Sequence, residues 1–200
     1  MNTVVIQGQA LPINANGKHG CFVEILARTK DQLDAMLSHH SRILVIRFDL
    51  HVDTFQPDNK LISDFVRKLR KKLKANFNLT RIGYIWAREQ EKAKQQHYHF
   101  ALIIDANKVR YPTRVLETVD VIWQAWLLPK PYTPKNCYYV VKRFDTVKFQ
   151  EAFNRLSYMA KTRGKGYKSK TANDYSTSRI NHKQDTETKF PNDFDKNWRQ

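Results

Sequence analysis

Two apolar periodicities alternate between residues 41 and 144, and their order admits few folds. "SRILVIRFDLHVD" (41–53) alternates residue by residue, with Leu44, Ile46, Phe48, Leu50 and Val52 on one side and Arg47, Asp49 and His51 on the other. That is a strand with one face in a core. "QPDNKLISDFVRKLRKKLKANF" (56–77) follows at helical spacing, with Leu61, Ile62, Phe65, Leu69 and Leu73 as its apolar stripe. "TRIGYIWAREQ" (80–90) and "QHYHFALIID" (96–105) read as two strands of a hairpin joined by the polar "EKAKQ". "PTRVLETVDVIWQAWL" (112–127) is a second amphipathic helix with Pro112 suited to its first turn, and "KNCYYVVKRF" (135–144) is a fourth strand. This order is a split βαββαβ unit. It predicts an α+β, ferredoxin-like or RRM-like fold with a central antiparallel sheet and helices on one face. The other face is expected to stay open for a ligand.

The flanks are less regular. Residues 1–40 read as an N-terminal extension with a short helix in "RTKDQLDAMLSHHS" (28–41), and residues 41–165 as the catalytic-type domain. "DTVKFQEAFNRLSYMAKT" (145–162) is a third helix that Asp145 or Thr146 caps. From 166 to 200 apolar content falls while Gly, Ser, Thr and Lys rise, which predicts a basic, partly disordered extension.

Charge narrows the partner. The 35 Lys and Arg against 19 Asp and Glu leave a formal net charge of +16, so a polyanion is expected, nucleic acid before any other. No basic amphipathic helix with a Trp- and Leu-rich face supports a membrane surface. Cys21 and Cys137 stand alone, away from any C-x-x-C or zinc-finger spacing, and read as reduced thiols. With neither a leader pattern nor a long apolar run, the expected location is the cytoplasm.

The run 96–105 carries the chemistry. His97 and His99 share one face of their strand, while Tyr98, Phe100, Leu102 and Ile104 point to the core. Two imidazoles at i and i+2 hold a divalent metal when a third ligand arrives. If 90–96 form the connection, Glu89 lies opposite His97, with Cβ atoms roughly 5 Å apart. Glu91 has the same parity and serves if the register shifts by two. His51 and Asp49 approach from the first strand as ligand, support or DNA contact. Further on, Tyr158 departs from the apolar stripe of Phe149, Ala152, Phe153, Leu156 and Ala160, and Lys161 stands three residues later. A phenol beside an ammonium and a metal-polarised phosphodiester is a nucleophile.

"HYH" (97–99) followed by "YMAK" (158–161) resembles the motif pair of the HUH endonucleases, which include rolling-circle initiators, relaxases and small single-strand transposases. "RILVIRFDLH", "YIWAREQEKAKQQHYHFALII", "NCYYVVKRF" and "NRLSYMAKTRGKGY" resemble the YagK/YfjJ family of prophage proteins, itself similar to filamentous-phage (inovirus) replication initiators. The resemblance spans residues 41–181. It implies a Mg²⁺- or Mn²⁺-dependent nick in single-stranded DNA, in which a tyrosine takes the 5′-phosphate and leaves a 3′-OH that primes replication. Carried over, His97 and His99 are metal ligands, Tyr158 is the nucleophile, Lys161 is the lysine one turn later, and Glu89 is the third ligand by spacing. A single helical tyrosine, rather than a pair, means that a second strand transfer needs another subunit or nucleophile.

For DNA contact, Arg67, Lys68, Arg70, Lys71, Lys72 and Lys74 spread around a helix that Leu69 and Leu73 hold down, with no acidic neighbour inside the run. Arg163, Lys165, Lys168 and Lys170, with Tyr167, suggest an arm that follows a strand and stacks a base. Trp86 and Trp126 are expected in the core. No phosphate-cradling G-x-x-x-x-G-K-[ST] loop is present, so unwinding falls to a host helicase. The expected partners are single-stranded or hairpin origin DNA and the host replication machinery. A non-catalytic DNA-binding regulator and an HUH transposase are the alternatives.

Overall fold

The central feature is a five-stranded, wholly antiparallel sheet in the order β6-β3-β5-β4-β7. The structure is a computed structural model that describes residues 2–14, 20–90, 95–162, 164–165 and 172–184. Its elements are β1 (Asn2–Ile6), β2 (Gln9–Ile13), α1 (Val23–His39), β3 (Arg42–His51), α2 (Lys60–Phe77), β4 (Gly83–Glu89), β5 (His97–Asp105), α3 (Thr113–Gln124), β6 (Tyr138–Lys142), α4 (Thr146–Ser157) and β7 (Tyr175–Thr177). The unit from β3 to β6 has the ferredoxin-like strand order, with its two crossover helices α2 and α3 on one face.

That face is built as the alternation requires. Phe48 stacks on Phe100 at 4.9 Å between centroids, and Phe65 of α2 meets Phe100 edge-on at 5.6 Å and Trp123 of α3 at 5.3 Å. Trp86 is buried in this cluster and Trp126 packs against its rim. Asp145 caps α4 by accepting from the Lys148 N–H at 3.0 Å. Asn78 ends α2 in the left-handed conformation, with φ of 51°.

The second face is not open. α1 and α4 cover it with Ile25, Leu33, Met36, Phe149, Phe153 and Leu156, over Ile43, Val45, Ile85, Ala101, Ile103 and Val141. The β1–β2 hairpin adds Ile6 and Leu11 to the same cluster. The reason lies in the strands. "ILVI" (43–46) and "FALII" (100–104) are apolar at every position, the mark of a sheet buried on both sides. The strands turn amphipathic only at one end of the sheet, the C-terminal ends of β3 and β4 and the N-terminal end of β5, where Arg47, Asp49, His51, Glu89, His97 and His99 take over from that second apolar row.

Three boundaries therefore move. The helix placed at 28–41 runs over Val23–His39 and is part of the domain rather than of an extension. The helix drawn to residue 162 stops at Ser157 and tightens into a 3-10 turn over Tyr158–Ala160. The segment assigned to the C-terminal extension adds β7 to the sheet edge, and Ala172 and Ser178 are buried. A three-residue strand shows no period of its own, so only its partners reveal it. Among the described residues, no helix is long and apolar enough to cross a membrane.

Gln32 of α1 ties that last segment down. Its amide oxygen accepts from the Ile180 N–H at 3.1 Å and its amide nitrogen donates to the Ile180 carbonyl at 3.2 Å. Gln32→Ala is expected to cost about 1–3 kcal/mol, the penalty of leaving such groups unpaired. Urea denaturation checks the magnitude. Amide exchange should quicken at 175–180 before it does in β3.

Candidate active site

The polar ends of three adjacent strands meet on the second face, where the α1–α4 cover stops. Register decides what meets. His97 stands between His51 of β3 and Glu89 of β4, and His99 between Asp49 of β3 and Ala87 of β4. Side chains at paired positions share a face, so one patch gathers two carboxylates and three imidazoles.

His99 is the hub. Its Nδ1 lies 2.8 Å from Asp49 Oδ1 and its Nε2 lies 2.9 Å from Glu89 Oε2. It is 4% exposed, and Asp49 and Glu89 are 7% and 8% exposed. His51 stacks on His97 at 5.4 Å, and the His97 ring meets His99 edge-on at 4.7 Å. Glu89, His97 and His99 each offer one ligand atom, and these atoms lie within 4.8 Å of one another. Two imidazoles and a carboxylate suit a divalent cation. Asp49 on Nδ1 would then be the outer carboxylate that orients His99 as a ligand and aims its Nε2 at the centre. The donor set thus fits a metal. His51 supports His97 by stacking, and Glu91 lies outside the described residues.

The environment sets the protons. For Asp49, burial raises the carboxyl pKa, but the His99 hydrogen bond and the charges of His99 and Arg47 together bring it below the ordinary range. For Glu89, burial is likewise outweighed, by His99, His97 and Lys165. Burial opposes charge on His99, yet its two carboxylate partners outweigh that and raise its pKa. Burial first, then the neighbouring His99, lowers His97.

Tyr158 arrives from the end of α4. Its ring meets His99 edge-on at 5.0 Å, and the Lys161 ammonium lies 4.2 Å from its centroid. The Arg47 guanidinium also lies over this ring, at 4.6 Å. Arg47 is 6% exposed and reaches Asp49 at 3.5 Å. With the Nδ1 proton of His99 donated to Asp49, the Arg47 Nη2 that sits 3.3 Å from Nδ1 contributes charge rather than a hydrogen bond. Sequence reasoning placed Arg47 on the polar side of its strand but assigned it no role. Its parity with Asp49 and His51 was the available signal.

The turn after Tyr158 folds back on the metal-ready cluster. Gly164 takes φ of +70° and its carbonyl accepts from the Gln90 N–H at 2.8 Å. A Cβ there would collide with the Glu89 side chain, so glycine is required twice over. Lys165 is therefore not on a loose arm. Its ammonium donates to the Lys161 carbonyl at 2.8 Å, and burial lowers its pKa against the pull of Glu89. Arg163, Tyr167, Lys168 and Lys170 lie outside the described residues.

The basic run of α2 sits on the opposite face of the sheet and divides. Lys68 packs over Trp126 at 4.2 Å and Lys72 is exposed, while Arg67, Arg70, Lys71 and Lys74 line a groove. Arg67 does have an acidic neighbour, Asp64, one helical turn earlier at 2.9 Å.

The profile of the YagK/YfjJ C-terminal domain family matches residues 9–175, a span that includes α1 and reaches β7. The chain is also similar to the uncharacterized protein YfjJ of Escherichia coli strain K12, with 26% identity over 178 residues, covering 69% of this chain and 86% of that protein. No solved structure matches.

In metal-free protein, His97 and His99 are expected to titrate below and above the ordinary 6.5 respectively, as read by imidazole NMR. The raised His99 contributes stability below 6.5 that is lost as pH rises through its folded pKa; the lowered His97 has the opposite sign. Metal binding must displace the His99 proton. Mn²⁺ affinity should therefore fall about tenfold per pH unit below the folded pKa of His99. Asp49→Asn should cost about 10- to 100-fold in affinity through lost orientation. Calorimetric Mn²⁺ titration checks both.

Proposed function

We propose that this chain, which belongs to the YagK/YfjJ family, is a metal-dependent, HUH-type nickase that initiates rolling-circle replication of a phage or prophage element. The observation that carries this reading is convergence. His99 and Tyr158, 59 positions apart in sequence, meet ring to ring at 5.0 Å beside a carboxylate–imidazole cluster. A structural role for either residue does not require the other.

In this reading Tyr158 Oη attacks the phosphorus of a single-stranded DNA phosphodiester. The O–P bond to tyrosine forms as the bond to the 3′ oxygen breaks; the phenol gives up its proton and the 3′ oxygen takes one. The products are a 5′-phosphotyrosine and a free 3′-OH. A divalent cation, Mg²⁺ or Mn²⁺, held by Glu89, His97 and His99 would polarise the phosphate. Asp49 keeps the His99 Nε2 aimed at the centre. Arg47 and Lys161, both over the Tyr158 ring, favour the phenolate and offset charge that builds on the phosphoryl oxygens. Arg47 is held by Asp49 before substrate arrives, so its charge needs no reorganisation. One tyrosine forms one covalent link, and rejoining draws on a second subunit or another nucleophile. Unwinding and extension fall to a host helicase and polymerase, in the bacterial cytoplasm.

The test is covalent trapping. The protein is incubated with circular single-stranded DNA and Mn²⁺, and a denaturing gel reads a protein–DNA adduct. The adduct should vanish in Tyr158→Phe and with EDTA. Arg47→Ala should slow its formation roughly 10²- to 10³-fold, as loss of a preorganised charge partner does. No adduct on a heterologous circle, and none on the element's own replicon, would replace the nickase reading with a DNA-binding regulator.

A further inference from the structure

Two grooves flank the outer edge of the sheet, on the α2 side of β4 and β7. Their volumes are about 530 and 650 Å³, and they share Arg70, Tyr84 and Ser176. The first takes the face of α2 that recurs every three or four residues, at Ser63, Arg67, Arg70, Lys71 and Lys74. The second continues past Arg81, in the turn before β4, to Arg179, just beyond β7. Among the described residues, no aspartate or glutamate lines either groove.

Six cations therefore line one recess. Of these six, only Arg67 has an ion-pair partner among the described residues, Asp64. The remaining five repel one another with no counter-charge paired to them among the described residues, a cost that a bound polyanion removes. Between them sits Tyr84, half-buried and held at 6.1 Å against Phe100, with the rest of its ring turned to the groove. Cations along a trough with an aromatic on its floor fit a strand whose phosphates and bases are both within reach. A duplex keeps its bases stacked inside and would meet such a recess only at the rim.

The groove is separate from the cleavage centre. Tyr84 and Glu89 point to opposite faces of β4. A third cavity, of about 740 Å³, shares Ser176 and Arg179 with the second groove and reaches Lys165, whose charge acts on Glu89. Glu24, Asp31 and Asp174 line that passage, so it connects the two regions without continuing the cationic row.

We infer that the α2–β7 groove is a single-stranded DNA track that grips the strand outside the point of cleavage. The inference extends the nickase reading, and it stands or falls by DNA affinity rather than by cleavage. The test uses the full chain and a fluorescein-labelled oligothymidine long enough to span both grooves, with anisotropy read over a salt series. Arg70→Glu/Arg179→Glu is compared with Lys68→Glu/Lys72→Glu, the same charge change on the other flank of α2. The groove pair should bind about tenfold or more weakly, with the slope of log affinity on log salt reduced by about 1.4, or 0.7 for each lost phosphate contact. The flank pair should stay within about threefold of the parent, a margin smaller than one lost stacking or phosphate contact. Tyr84→Leu should weaken binding about tenfold with the slope unchanged, since it removes stacking and no charge. Arg70→Gln/Arg179→Gln, with the thermal midpoint of the parent, controls for folding. Equal losses in the two charge-matched pairs, or stronger binding of a duplex than of the single strand, overturns the track. Lost binding in the groove pair, from a parent protein that forms no adduct, leaves the track in place and removes the nickase.

Discussion

One buried imidazole joins three strands. His99 of β5 reaches Asp49 on β3 and Glu89 on β4, at 2.8 and 2.9 Å, and every other part of the candidate centre is arranged around it. Such a group is costly to bury unless both nitrogens are satisfied, so the two carboxylates must be where they are. Their placement depends on register. A slip of one residue in β3 or β4 would turn Asp49 or Glu89 to the other face and leave His99 half-paired in the interior. What prevents the slip is the far side of the same strands, where Phe48, Phe100 and Phe65 interlock beneath α2. The core therefore fixes the chemistry through the period of two.

The second helical layer does a different job. α1 and α4 seal the apolar half of the other face and stop where it turns polar. That edge delivers Tyr158. The 3-10 turn after α4 is clasped by the segment that enters α1: the Phe22 N–H donates to the Ala160 carbonyl at 2.8 Å, and the Thr162 N–H to the Gly20 carbonyl at 3.0 Å. Gly164 then presses on Glu89. The phenol is thus held from its own helix, from the N-terminal helix and from the β4 end, which is how a turn gains the rigidity of a strand.

Much of this was legible in the chain. The order of periodicities predicted the strand order, and the parity of His97, His99 and Glu89 placed them on one face with Asp49 and His51. The departure of Tyr158 from its helical stripe singled it out. What stayed hidden has physical causes. The covered second face was written in Ile43, Val45, Ala101 and Ile103, but reading only the alternation discounts apolar residues on the supposed polar side. α1 buries Lys30 and Gln32 through specific partners, Asp34 and Ile180, which composition reads as solvent exposure. β7 exists through its pairing with β4. Arg47 belongs to no motif, because it is singled out only by its contact with Tyr158, more than a hundred residues away.

The distribution of charge follows from the same sheet. Among the described residues, two buried carboxylates, Asp49 and Glu89, stand together at the centre beside Arg47 and Lys161, and a row of cations without acidic lining lies on the α2 side. A phosphodiester drawn to the acidic cluster alone would be repelled until a cation neutralised it. In the nickase reading, binding strength would come from contacts remote from the reacting atoms, and remote contacts can be strong without stabilising the ground state of the bond to be broken. In that reading β4 would be the physical link between grip and chemistry. It carries Tyr84 and Trp86 on one face and Glu89 on the other, within a single rigid strand held between β5 and β7. A strand seated at Tyr84 and brought round the β7 edge would meet Tyr158 with its orientation already restricted, which is the form in which binding energy lowers a barrier.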